Sequence, residues 1–448
     1  MRRKKSLRGN MARLFVFIML LAVIFTSSYA EEKTISVMSA GLSWEDQRSI
    51  SDLFHEKYPD YNVCWVDDLD EESVKTKILL RDPGIDVMSI SSMHGTLQEL
   101  IAKDYYVDLA GAPIIRSNMD LLLDSFHTLF FPSGDKSQIP AYPWNITFQP
   151  LAFWDSNVAK YMDINDENDV LTFDYIVSLM NQMESENDES VIISDGSENP
   201  LILPAFECCK MQSVSEKGTL QLYTPEFENV LQRLLKYNKS TTHYEGPANP
   251  LITICPADGE MLLTQGRKWK RLSLYEDKTV PLGCYFQSMI VNPYSEHIEE
   301  AVFLIDCIAR KQSETVKMAL FDLGKEELPN PDYEKQIFEL QESIELYEDQ
   351  MNKYPEDSDY WEAVVKDTKE MMNLYSPYII SKESYSYYRS CVDENLYIFG
   401  NIPFEAANID SYIYDQYLHL CREEVSPAGF LQSMDRIIYM MAMENSGS

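Results

Sequence analysis

The chain has 448 residues, 45% of them hydrophobic, with 72 Asp and Glu against 38 Lys and Arg and a formal charge of −34. That length exceeds what one hydrophobic core serves and predicts two or three domains. The acid excess repels phosphate overall and argues against nucleic acid as a partner.

The N-terminus reads as an export signal. Arg2, Arg3, Lys4, Lys5, Arg8 and Arg13 precede the apolar run LFVFIMLLAVIF, and TSSYA then places small Ser28 and Ala30 where a signal peptidase reads. The run has 12 residues, short of the roughly 20 that span a bilayer. Residues 1–30 are therefore expected to be removed, leaving an exported, extracytoplasmic chain from Glu31 with 32 basic against 72 acidic residues. No cysteine stands at the cleavage point, which excludes lipid attachment there.

From Lys33 the pattern is strand TISVMS, then SWEDQRSISDLFHEKY, where Ser43 and Asp46 form a capping box and Ile50, Leu53, Phe54 and Tyr58 share a helical face. Strand NVCWV, helix EESVKTKILLRD stopped at Pro83-Gly84, and strand IDVMSI follow. This β-α-β-α-β run predicts an open parallel sheet of the α/β class. Another helix, TLQELIAKDY, carries Thr96 and Glu99 as its box. Ligands of such sheets sit beyond the carboxyl ends of strands, which points to 39–44 and 91–95.

The stretch PAYPWNITFQPLAFWD (140–155) concentrates prolines and aromatic rings. A buried sheet core, a partner interface, a hinge and a ligand platform are all open for it. After it the pattern restarts, which predicts a second lobe: Thr172 caps FDYIVSLMNQM, Pro225 opens EFENVLQRLLKY, and 278–295 is again β-rich and aromatic before helix EHIEEAVFLIDCIARK. Residues 333–375 repeat apolar positions at three and four residue spacing on either side of KYPEDS, a two-helix hairpin. The last helix opens at Ser426-Pro427.

Catalytic and metal motifs are missing. The six histidines never form H-E-x-x-H, and no G-x-S-x-G, Walker loop or G-x-G-x-x-G occurs. The eight cysteines lie far apart without C-x-x-C, which speaks against zinc, and most read as small buried hydrophobes. DINDENDVLTFD (163–174) spaces oxygen ligands somewhat like a calcium loop, yet Asn168 stands where the sharp turn wants glycine, so an acidic loop is the simpler reading. No metal and no cofactor are expected. The informative residues are rings at strand ends and lobe connections: Trp44, Tyr142, Trp144, Phe148, Trp269, Tyr285 and Phe286. Singly each is more often core than platform, but small-molecule pockets form at such places.

The order of segments resembles the extracellular solute-binding proteins of ABC importers, in particular the sugar and oligosaccharide cluster. RDPGIDVMSIS matches the family's helix, turn and strand with an Asp-Val pair, here Asp86-Val87, and LIAKDYYVDL matches a lobe-edge Asp-Leu, here Asp108-Leu109. QIPAYPWNITFQPLAFWDSNVAKY is similar to the first crossing between lobes, with Trp154-Asp155 where Tyr-Asn is usual, and VNPYSEHIEEAVFLIDCIA places Asn292, Pro293, Ser295 and Ala301 as the return segment does. The lipid-bearing cysteine of many members is missing, the hairpin exceeds the family's minimum, and Gly429 replaces a frequent glutamate.

The resemblance implies a two-lobe periplasmic-binding-protein-like fold, each lobe a sheet flanked by helices, with a C-terminal helical insertion. Lobe 1 is expected at 31–143 with 284–322, and lobe 2 at 144–283 with 323–448. It implies a monomer, not an enzyme, that closes by a hinge on a carbohydrate and delivers it to membrane permease subunits. The seven rings above are the expected sugar platforms, with Ser91, Ser92, His94, Asn145 and Asp155 as polar partners, and Pro140, Pro143 and Pro150 as stiffeners of the crossing. A cationic amine or peptide as ligand, an exported glycan hydrolase, and a binding protein repurposed as sensor or adhesin are the rival readings.

Overall fold

The structure, a computed structural model, describes residues 33–67, 69–154, 170–186, 201–236, 252–265, 268–275, 281–355, 358–400 and 408–446. They fall into two compact units, one running up to Ser89 and including Ile290–Lys311, the other formed by Ile90–Met289 and the chain from Gln312 onward.

The smaller unit contains the expected parallel start. β1 (Lys33–Met38) pairs in parallel with β2 (Tyr61–Val66) from Lys33↔Tyr61 to Met38↔Val66, and with β3 (Val87–Ser91) at Val37↔Val87. The Ser43 side chain accepts from the Asp46 amide and starts helix Trp44–His55, whose Ile50 and Phe54 are buried. Phe54 meets Phe303 of helix Ile298–Lys311 at 6.0 Å, closing a small aromatic core with Tyr58 and Tyr61. Helix Glu71–Leu79 is capped by Asp70 and ends before Pro83-Gly84, because Arg81 turns left-handed (φ 56°) and Asp82 closes the turn on Gly84 N at 2.9 Å.

The segments that carry the resemblance meet in a hydrogen-bonded clasp. The buried Asp86 carboxylate accepts from Ser36 N at 2.7 Å and from Ser295 Oγ at 2.5 Å, while Asn292 Nδ2 donates to the carbonyls of Asp82 and Ile85 at 2.8 Å each. In the larger unit, Asp108 accepts from Ala110 N and Ile139 N, both at 2.9 Å, beside fully buried Leu109. These motif residues therefore hold turns and strands together.

The larger unit is built on β4 (Tyr142–Trp154), the aromatic stretch itself. β4 runs antiparallel to β6 (Ile252–Asp258), β7 (Trp269–Ser273) and β8 (Leu282–Val291), and β5 (Val170–Thr172) adds to β7 in parallel. β9 (Leu328–Pro329) and β10 (Tyr378–Ile380) form a ribbon near the hairpin, and β11 (Leu396–Ile398) joins β8. Pro150 lies in the register shift between Phe148 and Leu151, and Pro143 at the one before Asn145, where a residue without an N–H costs no ladder bond. Helices Phe173–Ser185, Ile202–Lys217, Pro225–Lys236 and Pro427–Ser446 cover one side of this sheet with a core that includes Phe206, Phe227, Leu231 and Phe430. Thr172 and Ser426 cap as expected, bonding Tyr175 N and Gly429 N.

The Thr96–Glu99 box is corrected. Helix Thr96–Ala102 has left-handed Gly95 (φ 80°) as its N-cap and no side-chain cap bond, since Thr96 already lies inside the first turn. The hairpin forms from helices Tyr333–Lys353 and Ser358–Leu374, with Tyr347 stacked on Trp361 at 5.9 Å and Ile344 and Val365 buried. None of the eight cysteines is in a disulfide, and six are buried. Among the described residues no helix is long and apolar enough to cross a membrane.

Candidate functional site

The alternation of β4 and β8 divides the expected site residues. On one face of their ladder Ile146 pairs with Phe286 and Phe148 with Cys284, all buried. On the other face Asn145 pairs with Gln287 and Thr147 with Tyr285, all four half-buried. Residues i and i+2 of a strand share a face, so these four make one strip of amides, a hydroxyl and a phenol ring.

A bulge shapes one end of the strip. Pro143 faces Ser288 and Asn145 faces Gln287, so Trp144 is the extra residue and its half-buried ring leaves the regular alternation. Buried Gln312 fixes this bulge: its Nε2 donates to the carbonyls of Pro143 (3.2 Å) and Trp144 (2.8 Å), and its Oε1 accepts from the Tyr142 hydroxyl (2.6 Å). The Asn145 side chain accepts from Ile146 N at 2.8 Å, which holds it against the strand.

The loop after β3 lies beside the same strands. Ser92 N donates to Phe286 O at 2.8 Å, and Phe286 N donates to Ser92 Oγ at 2.9 Å. The loop is also clamped from behind. Gly400 has φ +81°, and a Cβ there would stand 2.0 Å from Ser92 O, while Gln98 Nε2 reaches Ser92 O and Phe399 O at 3.4 Å each. Met93 and Tyr285 pack on the helical core, and half-buried His94 follows. At the other end Gly283 lets Met211 and the Gln149 carbonyl close over the sheet, since a Cβ there would be 2.4 Å from both.

Four expected platforms are core instead. Tyr142, Phe148, Trp269 and Phe286 are each 0% exposed. Tyr142 bonds Asn118 and Gln312, Phe148 meets Tyr388 at 5.7 Å, Trp269 donates from Nε1 to Leu262 O and packs on Tyr387 at 4.8 Å, and Phe286 sits edge-on to Phe126 and Phe130. Ser92 is buried and its hydroxyl is spent on the backbone, and the Ser91 hydroxyl accepts from Met93 N at 3.0 Å. Burial also drives the Cys284 thiol and the Tyr388 hydroxyl well above their usual pKa, leaving the buried face chemically inert.

In the smaller unit Trp44 is 69% exposed at the start of its helix, with the Arg48 guanidinium 5.6 Å above the ring, after left-handed Ala40 and Gly41. Asp155, Asn168 and most of the acidic loop at 163–174 lie outside the described residues. Thr147 and Gln287 were not among the sequence candidates. Their signal is the alternation Asn145-x-Thr147 and Tyr285-x-Gln287.

No family model matches the sequence and no curated protein does. Solved structures do. The maltose-bound MalE3 of T. maritima is 12% identical, with 91% of this chain and 99% of that chain covered at a TM-score of 0.56. The galacto-N-biose/lacto-N-biose I-binding protein of the ABC transporter from Bifidobacterium longum is 12% identical, covering 93% and 98% at 0.54. An ABC transporter solute-binding protein from Agrobacterium vitis with bound D-mannitol is 14% identical, covering 93% and 99% at 0.54. This chain has the fold of the solute-binding proteins of ABC transporters.

Proposed function

We propose that the chain is the extracytoplasmic substrate-binding component of an ABC transporter and that it captures a carbohydrate. The observation that carries this is the strip Trp144, Asn145, Thr147, Tyr285 and Gln287, in which no side chain bears a charge. A sugar ring has apolar C–H faces and hydroxyl edges, and fixed aromatic planes flanked by amides suit both. A cationic ligand would want carboxylates there. The relatives named in the structural comparison are binding proteins for sugars or a sugar alcohol, which supports the same class and a role without catalysis.

The remaining parts of the proposal follow from this role. Residues 1–30 direct export, the lobes expected at 31–143 with 284–322 and at 144–283 with 323–448 close by a hinge when sugar binds, and membrane permease subunits receive the loaded monomer. Closure stabilises the bound form only if the sugar favours the closed state. His94 and Asp155 remain candidate contacts, and Trp44 is a separate candidate on the smaller unit.

The test is thermal-shift and calorimetric screening against mono- and oligosaccharides. A sugar that binds is expected to raise the melting temperature, and Tyr285→Ala is expected to lower its affinity at least about tenfold, with apo melting measured alongside because the half-buried ring also packs on the helical core. Affinity is expected to be insensitive to salt. Binding unchanged in Tyr285→Ala and Trp144→Ala would remove the strip from the site.

A further inference from the structure

A separate cavity of about 300 Å³ lies in the larger unit between the last turns of helix Ile202–Lys217, the segment 221–226 and the end of β7. Its floor is buried: Cys209 and Gln212 are each 5% exposed and Leu274 2%. Half-buried Tyr275 forms one wall, and the carboxylates Glu216 and Glu226 stand on different elements at the rim.

The walls are fixed before any ligand arrives. Ser213 Oγ donates to Thr219 O at 3.0 Å and accepts from Gln221 N at 2.8 Å, and the Asp435 carboxylate takes Leu222 N at 2.7 Å and Tyr223 N at 3.1 Å. Thr224 Oγ1 accepts from Phe227 N at 3.1 Å as the cap of helix Pro225–Lys236, and the Thr224 side chain also bonds the Tyr275 hydroxyl. A preorganised concavity loses little on binding.

Its lining carries two carboxylates, Glu216 and Glu226, against one ammonium, that of Lys217. Lys217 is drawn to Gln221 Oε1 at 2.9 Å, and the Gln212 amide reaches Glu216 at 3.4 Å, while the positive end of helix Pro225–Lys236 is already answered by Glu226 and Glu228 in its first turn. The Tyr275 hydroxyl is pushed up to about 12, mainly by burial and against the lowering effect of a hydrogen bond with Thr224, with smaller contributions from the nearby Cys209, Glu226 and Glu216. A group with donors and positive charge next to an aromatic face answers that arrangement.

We propose that this cavity is a second binding site, distinct from the β4–β8 strip, for a small ligand that presents an ammonium group to Glu216 and Glu226 beside the Tyr275 ring. It does not depend on the sugar reading.

The test is calorimetric titration of the full chain at low salt with n-butylammonium, n-butanol and butyrate, to about 20 mM, where millimolar sites register. The expected result is one saturable site for butylammonium alone, weakened by added salt and weakened at least about tenfold in the Glu216→Gln/Glu226→Gln double variant. Both glutamates are exposed, and the melting curve of the variant beside the parent separates loss of the site from loss of the fold. Absence of saturable butylammonium binding, equal binding by the double variant, or equal binding of butyrate would overturn the proposal. So would loss of butylammonium binding in Tyr285→Ala with the double variant unaffected, which would put the cation on the strip.

Discussion

Replacing Asp86 with alanine tests whether the family-like motif is a structural clasp. Its carboxylate takes Ser36 N at 2.7 Å and Ser295 Oγ at 2.5 Å, and Ser295 Oγ in turn accepts His297 N at 2.9 Å just before helix Ile298–Lys311. Hydrogen bonds to a charged group contribute about 1.5–3 kcal/mol each, so deletion is expected to cost roughly 3–6 kcal/mol, with two buried donors left without an acceptor. Asp86→Asn keeps the volume and an acceptor for Ser36 N, while Ser295 rotates to accept from the new amide, so its cost is about 1–3 kcal/mol. Urea unfolding gives the totals, and hydrogen exchange at the Ser36 amide locates the loss in the smaller unit. A loss below about 1 kcal/mol in Asp86→Ala, or lost ligand affinity with unchanged stability, would refute the clasp and make Asp86 a ligand group.

Trp269→Ala removes a fully buried indole packed on Tyr387 and is expected to cost about 3–5 kcal/mol by denaturant titration, where a platform ring would leave the apo protein unchanged. Gly400→Ala sets a methyl group against the Ser92 carbonyl at φ +81° and is expected to cost roughly 1–3 kcal/mol and to weaken sugar binding with it; normal stability would deny the close approach. Tyr61 donates to Glu300 Oε1 at 2.6 Å, and this bond, with burial and the Glu300 charge, pushes its hydroxyl up from 10.0 to about 12. The protonated phenol is the form the fold favours, so the stabilisation is complete below about pH 10 and lost as pH rises through about 12. Tyr61→Phe is expected to flatten the stability profile across that window, and an unchanged slope would remove the bond.

The elements whose signals are local were legible. Ser43, Thr172, Pro225 and Ser426 each stand where a helix starts, because a cap needs only its own few residues. The parallel β1, β2 and β3 followed from strands separated by helices. The candidate site was half legible. Rings crowded at 140–155 mark the strand that carries the proposed strip, but whether Phe148 or Thr147 faces outward depends on which face the helices cover, and that is decided by residues far along the chain such as Tyr388 and Met211. Thr96 is not a cap because left-handed Gly95 holds that position and Thr96 already lies inside the first turn, beside the chain at Gly400, some 300 positions on.

The prolines of the aromatic stretch acquire a different role from the one first expected. Pro143 and Pro150 stand where β4 slips its register, and at Pro143 the slip turns Trp144 out of the alternation that buries Tyr142. A bulge alone would leave two carbonyls short of partners inside the unit, at a cost comparable to lost hydrogen bonds. Gln312 removes that cost by donating to both, and its own carbonyl is held by Tyr142. One buried glutamine thus converts a break in the ladder into a rigid presentation of Trp144 and Asn145. If that holds, Gln312→Leu, which keeps the bulk but not the donors, is expected to lower sugar affinity through the bulge even though Gln312 itself is buried.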